Sequence, residues 1–132
     1  MTEEHPNTAK VRAGYDAFAR ADLEALREFL AEDIVWHFPG SSPMAGDYRG
    51  HEEVFGFFMN VFEQTGGTFT VEVRDVMAND AHGVAVVHVS GERDGKTIAS
   101  NQVHVAHVSA DGRVTEFWNM PEDVRALDEF WS

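Results

Sequence analysis

The sequence predicts an α+β fold in which a cone-shaped, curved antiparallel sheet wraps around three N-terminal helices, with a short C-terminal helix. Three observations carry this. Apolar residues recur at helical spacing through most of residues 7–64 and at strand spacing over 68–120, so helices and strands are segregated. Two Asp-Gly pairs, Asp94-Gly95 and Asp111-Gly112, join runs rich in β-branched residues, the mark of antiparallel hairpins. The length, 132 residues, fits a single domain spanning 1–132, and no linker, repeat or low-complexity tract divides it.

In order, residues 1–6 read as a polar tail, and Asn7 or Thr8 caps a first helix whose face is Val11, Tyr15, Phe18 and Ala19. Asp22 caps a second helix with Leu23, Leu26, Phe29 and Leu30 buried, and Glu32-Asp33 ends it. Ile34–Phe38 is a short strand, followed by the loop Pro39-Gly40-Ser41-Ser42-Pro43. His51–Gln64 is a third helix presenting Val54, Phe55, Phe58, Val61 and Phe62. Four strands follow: Thr68–Ala78, His82–Arg93, Lys96–Ser109 and Arg113–Met120. In the first of them the alternation slips near Arg74-Asp75, which predicts a bulge. Pro121 opens the last helix, with Val124, Leu127 and Phe130 or Trp131 inward.

Composition excludes several function classes. Ten basic against 23 acidic side chains give a net charge of −13, which argues against nucleic acid and anionic membrane surfaces. The absence of cysteine removes disulfides, thiolate metal sites and a Cys nucleophile. His104 and His107 are three apart on a strand, so they point to opposite faces and cannot share an ion; no metal site is expected. The start, MTEEHPNTAK, has no apolar signal core, and no apolar run has membrane-spanning length, so a cytoplasmic protein is expected.

Asp22-Leu23, Glu32-Asp33-Ile34-Val35-Trp36, Gly46, Tyr48-Arg49-Gly50, and Asp111-Gly112-Arg113-Val114-Thr115-Glu116 before Trp118 together resemble the SnoaL-like branch of the nuclear-transport-factor-2-like superfamily. That branch includes polyketide cyclases and relatives of ketosteroid isomerase. The resemblance implies the cone fold and a small-molecule pocket. It also implies acid–base chemistry of isomerase, cyclase or lyase type on a small apolar carbonyl or cyclic compound, without a cofactor. The isomerases' base position falls on Phe38, so ordinary ketosteroid isomerase chemistry is not expected. Their oxyanion Tyr falls at Gly14, beside Tyr15, and their second donor falls at about His104. The cyclases' acid after the last strand falls near Glu122 or Asp123.

Histidine is the natural acid–base residue near neutral pH, so the candidate catalytic set is His104, with Glu122 or Asp123 as alternatives, and Tyr15. The tight Asp94-Gly95 turn sets His88 opposite Asn101 and His104 opposite Ala85, and His88 with Asn101 or Gln102 would form a polar cluster. Tyr15 and Asn101 are candidate oxyanion donors. Trp36, Phe38, Phe55, Phe58, Phe117 and Trp118, with His88 and Asn101, are the candidate binding residues. If Phe38 points inward, Trp36 does too and His37 points away. A non-catalytic binding protein with the same pocket is the alternative. Apolar residues on both sheet faces, among them Val84, Val86, Val103 and Val105, predict a homodimer.

Overall fold

The computed structural model describes residues 5–132, and the part of the expected tail at residues 1–4 lies outside them. The rest of that tail is already structured. α1 (Pro6–Ala19) is capped by His5 rather than by Asn7 or Thr8: the His5 Nδ1 accepts from the Asn7 N–H at 3.1 Å. Pro6 serves at the helix start because it lacks an N–H that would go unpaired there anyway. α2 (Leu23–Phe29) is capped by Asp22, whose carboxylate accepts from the Ala25 N–H at 3.2 Å.

β1 (Leu30–Phe38) starts earlier than the expected strand, so Leu30 and the Glu32-Asp33 pair belong to it and not to the helix. The ladder slips between Leu30 and Val35, which leaves Glu32 and Asp33 exposed while Leu30 and Ile34 stay buried. β2 (Gly46–Arg49) follows, paired with β1, a strand that the sequence reading does not assign. α3 (Gly50–Gln64) leads into β3 (Thr70–Ala78), β4 (His82–Arg93), β5 (Lys96–Val108) and β6 (Val114–Pro121). The β3 register shifts between Val73 and Asp75, where the slip in alternation predicts the bulge. Asp94 and Gly95 take φ of 50° and 77°, the left-handed pair that a tight hairpin requires. Pro121 ends β6 instead of opening a helix. Asp123 caps α4 (Val124–Trp131), which buries Leu127, Phe130 and Trp131 and leaves Val124 exposed.

The six strands form one curved sheet in the order β2-β1-β6-β5-β4-β3. The β3-to-β6 meander is antiparallel, as is the β1–β2 hairpin, whereas β1 joins β6 in parallel. Among the described residues this α+β architecture has four helices, and α1, α2 and α3 pack on the sheet's inner face with α4. The main core joins Leu26, Ile34, Val54, Phe58, Phe117 and Trp131; a second cluster gathers Val11 of α1 with Val76, Ala85, Val87 and Val89. Among the described residues, no helix is long and apolar enough to cross a membrane.

Candidate active site

Strand alternation decides which residues face the helices. On β5, Ile98, Ser100, Gln102, His104 and Ala106 are buried; on β4, Ala85, Val87 and Val89 are. Against this wall α1 lays Tyr15. Gly14 is next to it, and a Cβ there would sit 2.5 Å from the Phe29 ring, so glycine lets α1 and α2 approach closely. The result is a cavity of about 90 Å³, lined mainly by Val11, Phe18, Phe29, Trp36, Phe58 and Phe117, with Tyr15, Gln102, His104 and Asn119 as its principal polar groups.

The Tyr15 hydroxyl lies 2.6 Å from His104 Nδ1, and His104 Nε2 lies 3.2 Å from Gln102 Oε1. Burial lowers the His104 imidazole to about 3 and pushes the Tyr15 phenol far above its ordinary value. Both groups are therefore neutral at pH 7. A neutral imidazole bonded this way takes the O–H of Tyr15 on Nδ1 and gives its Nε2–H to Gln102. Phe117 holds the ring from one side, its centroid 4.9 Å away.

The same contacts permit a second arrangement. If Gln102 turns its amide over, its NH2 donates to Nε2 and the imidazole proton moves to Nδ1. Nδ1–H then donates to the Tyr15 oxygen, and the Tyr15 proton is free for a ligand oxygen in the cavity. The Tyr15 oxygen can thus either accept a hydrogen bond from a ligand or donate one to it, and Gln102 accommodates both.

The remaining candidates separate cleanly. Trp36, Phe38, Phe58 and Phe117 line the cavity together with Tyr15 and His104. Phe55 does not: its ring stacks on His51 at 5.2 Å and lies under the Arg27 guanidinium at 5.1 Å, and Phe57 takes its place in the lining. His88 and Asn101 do face each other, 3.0 Å apart, but on the outer face of the sheet. Trp118 is also outside, stacked on His37 at 5.4 Å. Glu122 is exposed and accepts from the Asn101 N–H at 3.0 Å, and Asp123 is spent on its helix cap. Neither carboxylate reaches the cavity, because β6 runs through Pro121 and carries both past its rim. Asn119 escaped the sequence reading, although its pairing with His104 across β5 and β6 puts it on the inner face.

Among the described residues, no cluster of His, Asp or Glu is arranged to hold a metal ion. The loop after β1 is pinned by α4: Asp128 accepts from the backbone N–H of Ser41 at 2.8 Å and of Ser42 at 3.2 Å.

Known proteins share this framework. Residues 11–117 match the SnoaL-like domain. An uncharacterized protein of Mycobacterium bovis is 32% identical over 123 residues, covering 92% of this chain and 93% of its own. The structure of Bal32a, from a soil-derived mobile gene cassette, superposes with a TM-score of 0.91 at 35% identity over 96% of both chains. IdmH of Streptomyces antibioticus, a proposed polyketide cyclase, shares the fold with a TM-score of 0.75 at 24% identity, over 93% of this chain and 96% of that one. The match over residues 11–117 and the mycobacterial identity, on a cone of this topology, make the chain a member of the SnoaL-like domain family.

Proposed function

We propose that the protein is a cofactor-independent acid–base enzyme of isomerase, cyclase or lyase type, acting on a small, mostly apolar carbonyl or cyclic compound. The observation that carries this reading is the 2.6 Å contact between Tyr15 and His104 inside an apolar cavity. A ligand C–H beside a carbonyl gives its proton to the Tyr15 oxygen while the Tyr15 proton passes to His104 Nδ1. The products are an enolate and an imidazolium, and the reverse relay returns the proton to the same or another carbon. An imidazole held this far below its ordinary range takes a proton only as negative charge forms beside it, so the relay suits carbons already activated by a carbonyl. The kinship with a proposed polyketide cyclase supports the same class of chemistry.

Deuterium uptake at the α-carbon of cyclic ketones in D2O tests the reading. The wild-type protein should accelerate it, and His104→Ala and Tyr15→Phe should each remove the acceleration. The alternative, a binding protein, is favoured by one observation: in the first state the network is closed on itself from Tyr15 to Gln102. Ketones that bind without any exchange would select it.

The same reading includes a second copy of the chain. Val84, Val86, Val103 and Val105 lie partly exposed on the outer face beside Trp118 and the exposed Met120, a stripe across three strands. A light-scattering mass equal to one chain at micromolar concentration would count against the dimer.

A further inference from the structure

Two polar atoms in the cavity wall play no part in the Tyr15–His104 relay. Trp36 Nε1 and Asn119 Oδ1 are shielded from water, and no protein group among the described residues bonds to either. Buried polar groups are almost always paired, so two such atoms in one cavity call for an explanation. Their placement supplies one. Trp36 pairs with Phe117 across β1 and β6, and Asn119 lies two residues further along β6, on the same face. The Trp36 ring is fixed by a stack on Phe117 at 3.6 Å and an edge contact with Phe58 at 4.9 Å. Its N–H direction is therefore set by packing and not by a protein acceptor. Asn119 stands directly across from His104.

We propose that Trp36 Nε1–H and Asn119 Oδ1 form a second polar station in the cavity, built to hold a hydroxyl on a single-ring ligand whose carbonyl meets Tyr15. One atom is a donor and the other an acceptor. A hydroxyl set between them accepts from the indole N–H and donates its own proton to the amide oxygen. The volume favours a compact ligand: about 90 Å³ is less than the ~150 Å³ of an engineered apolar cavity that takes up benzene, so the cavity must widen to admit even one ring. A fused multi-ring compound demands a larger expansion still. The proposal rests on the Tyr15–His104 reading for the carbonyl end, and it adds the substrate class, a compact cyclic hydroxyketone.

The test uses three probes, 4-hydroxycyclohexanone, 4-methylcyclohexanone and a steroid ketone, with calorimetric titration and the indole 1H–15N signals as readouts. The chain has three tryptophans, so Trp36→Phe identifies the Trp36 signal by its loss. The wild-type protein should prefer the hydroxyketone over the methylketone roughly tenfold, the scale of one well-formed hydrogen-bonded group. The Trp36 indole proton should move downfield with the hydroxyketone and not with the methylketone. Trp36→Phe and Asn119→Leu should each erase the preference while 4-methylcyclohexanone still binds, and a variant that fails to bind even that ring is replaced by the other in the comparison. Equal affinity for the two small ketones, an unmoved Trp36 signal, or stronger binding of the steroid overturns the second station and leaves the Tyr15–His104 reading standing. Failure of every ketone to bind wild-type protein overturns both.

Discussion

His104 and His37 sit on the same sheet, close together in the ladder, and are driven in opposite directions. His104 points inward from β5. Its neighbours are Tyr15, Gln102 and Phe117, and burial lowers it to about 3. His37 points outward from β1. Its Nδ1 lies 2.7 Å from Asp47 on β2 and its Nε2 2.6 Å from Glu116 on β6, with Trp118 stacked on the ring and His107 3.9 Å beyond on Glu116. Partial desolvation pulls His37 down, but the hydrogen bonds and charges of Glu116 and Asp47 together outweigh it and raise the ring above its ordinary value. The inner histidine is buried and neutral at pH 7, and the outer one holds its proton more tightly than a free imidazole while it bridges three strands. Alternation along a strand is enough to separate the two roles.

The largest expected effect falls on the inner face. His104→Ala should reduce α-proton exchange by about 100-fold or more, the usual yield of a positioned acid–base group. Circular dichroism should show the fold retained, with stability lower by about 1–3 kcal/mol because the Tyr15 hydroxyl is left buried and unpaired. On the outer face, Glu116→Gln should change exchange less than twofold while costing at most about 1 kcal/mol, since the ion pair is partly solvated. A large catalytic effect from Glu116→Gln would break the division between the faces.

The pH dependence of stability sharpens the contrast, because the two residues act with opposite sign. The His104 pKa is depressed on folding, so its neutral form stabilises the protein above the unfolded value of about 6.5, and this contribution drains away as pH falls toward about 3. The His37 pKa is raised, so its contribution is complete below about 6.5 and is lost as pH rises through the elevated folded value. In urea titrations, His104→Leu should flatten the acid side of the stability curve and His37→Gln the alkaline side. Swapped effects would mean that the two faces are misassigned. The smallest effect concerns the loop that follows the cavity-lining Phe38: Asp128→Ala should free it at Ser41 and Ser42 at a cost of about 1 kcal/mol. It should raise KM for a ketone more than it lowers kcat.

Much of this is legible in the sequence alone. The Asp94-Gly95 turn sets the β4–β5 register, and it places His104 opposite Ala85 and His88 opposite Asn101 as the ladder has them. The same register, followed one step further, excludes His88, Asn101 and Trp118 from the cavity. Once His104 and Ala85 face inward, His88 and Asn101 face out, and the β6 residue across from His104 is Asn119, which turns Trp118 outward. That parity argument was available from the sequence. β2 was not, because Gly46-Asp47-Tyr48-Arg49 has no apolar alternation and pairs only because β1 offers it an edge. The hidden strand also gives Phe57 its partner, since its ring packs 4.5 Å from that of Tyr48 on β2. Leu30 continues the helical spacing of Leu26, so nothing local marks its passage into β1.

The central claim is that the two faces of one sheet drive the His104 pKa down and the His37 pKa up, and imidazole 15N chemical shifts followed from pH 5 to 8 test it most directly. The account predicts that His104 shows no titration across this range and keeps its proton on Nε2, while His37 remains doubly protonated past the ordinary midpoint of about 6.5. A His104 signal that titrates near 6.5, or a His37 that titrates at or below 6.5, would contradict it.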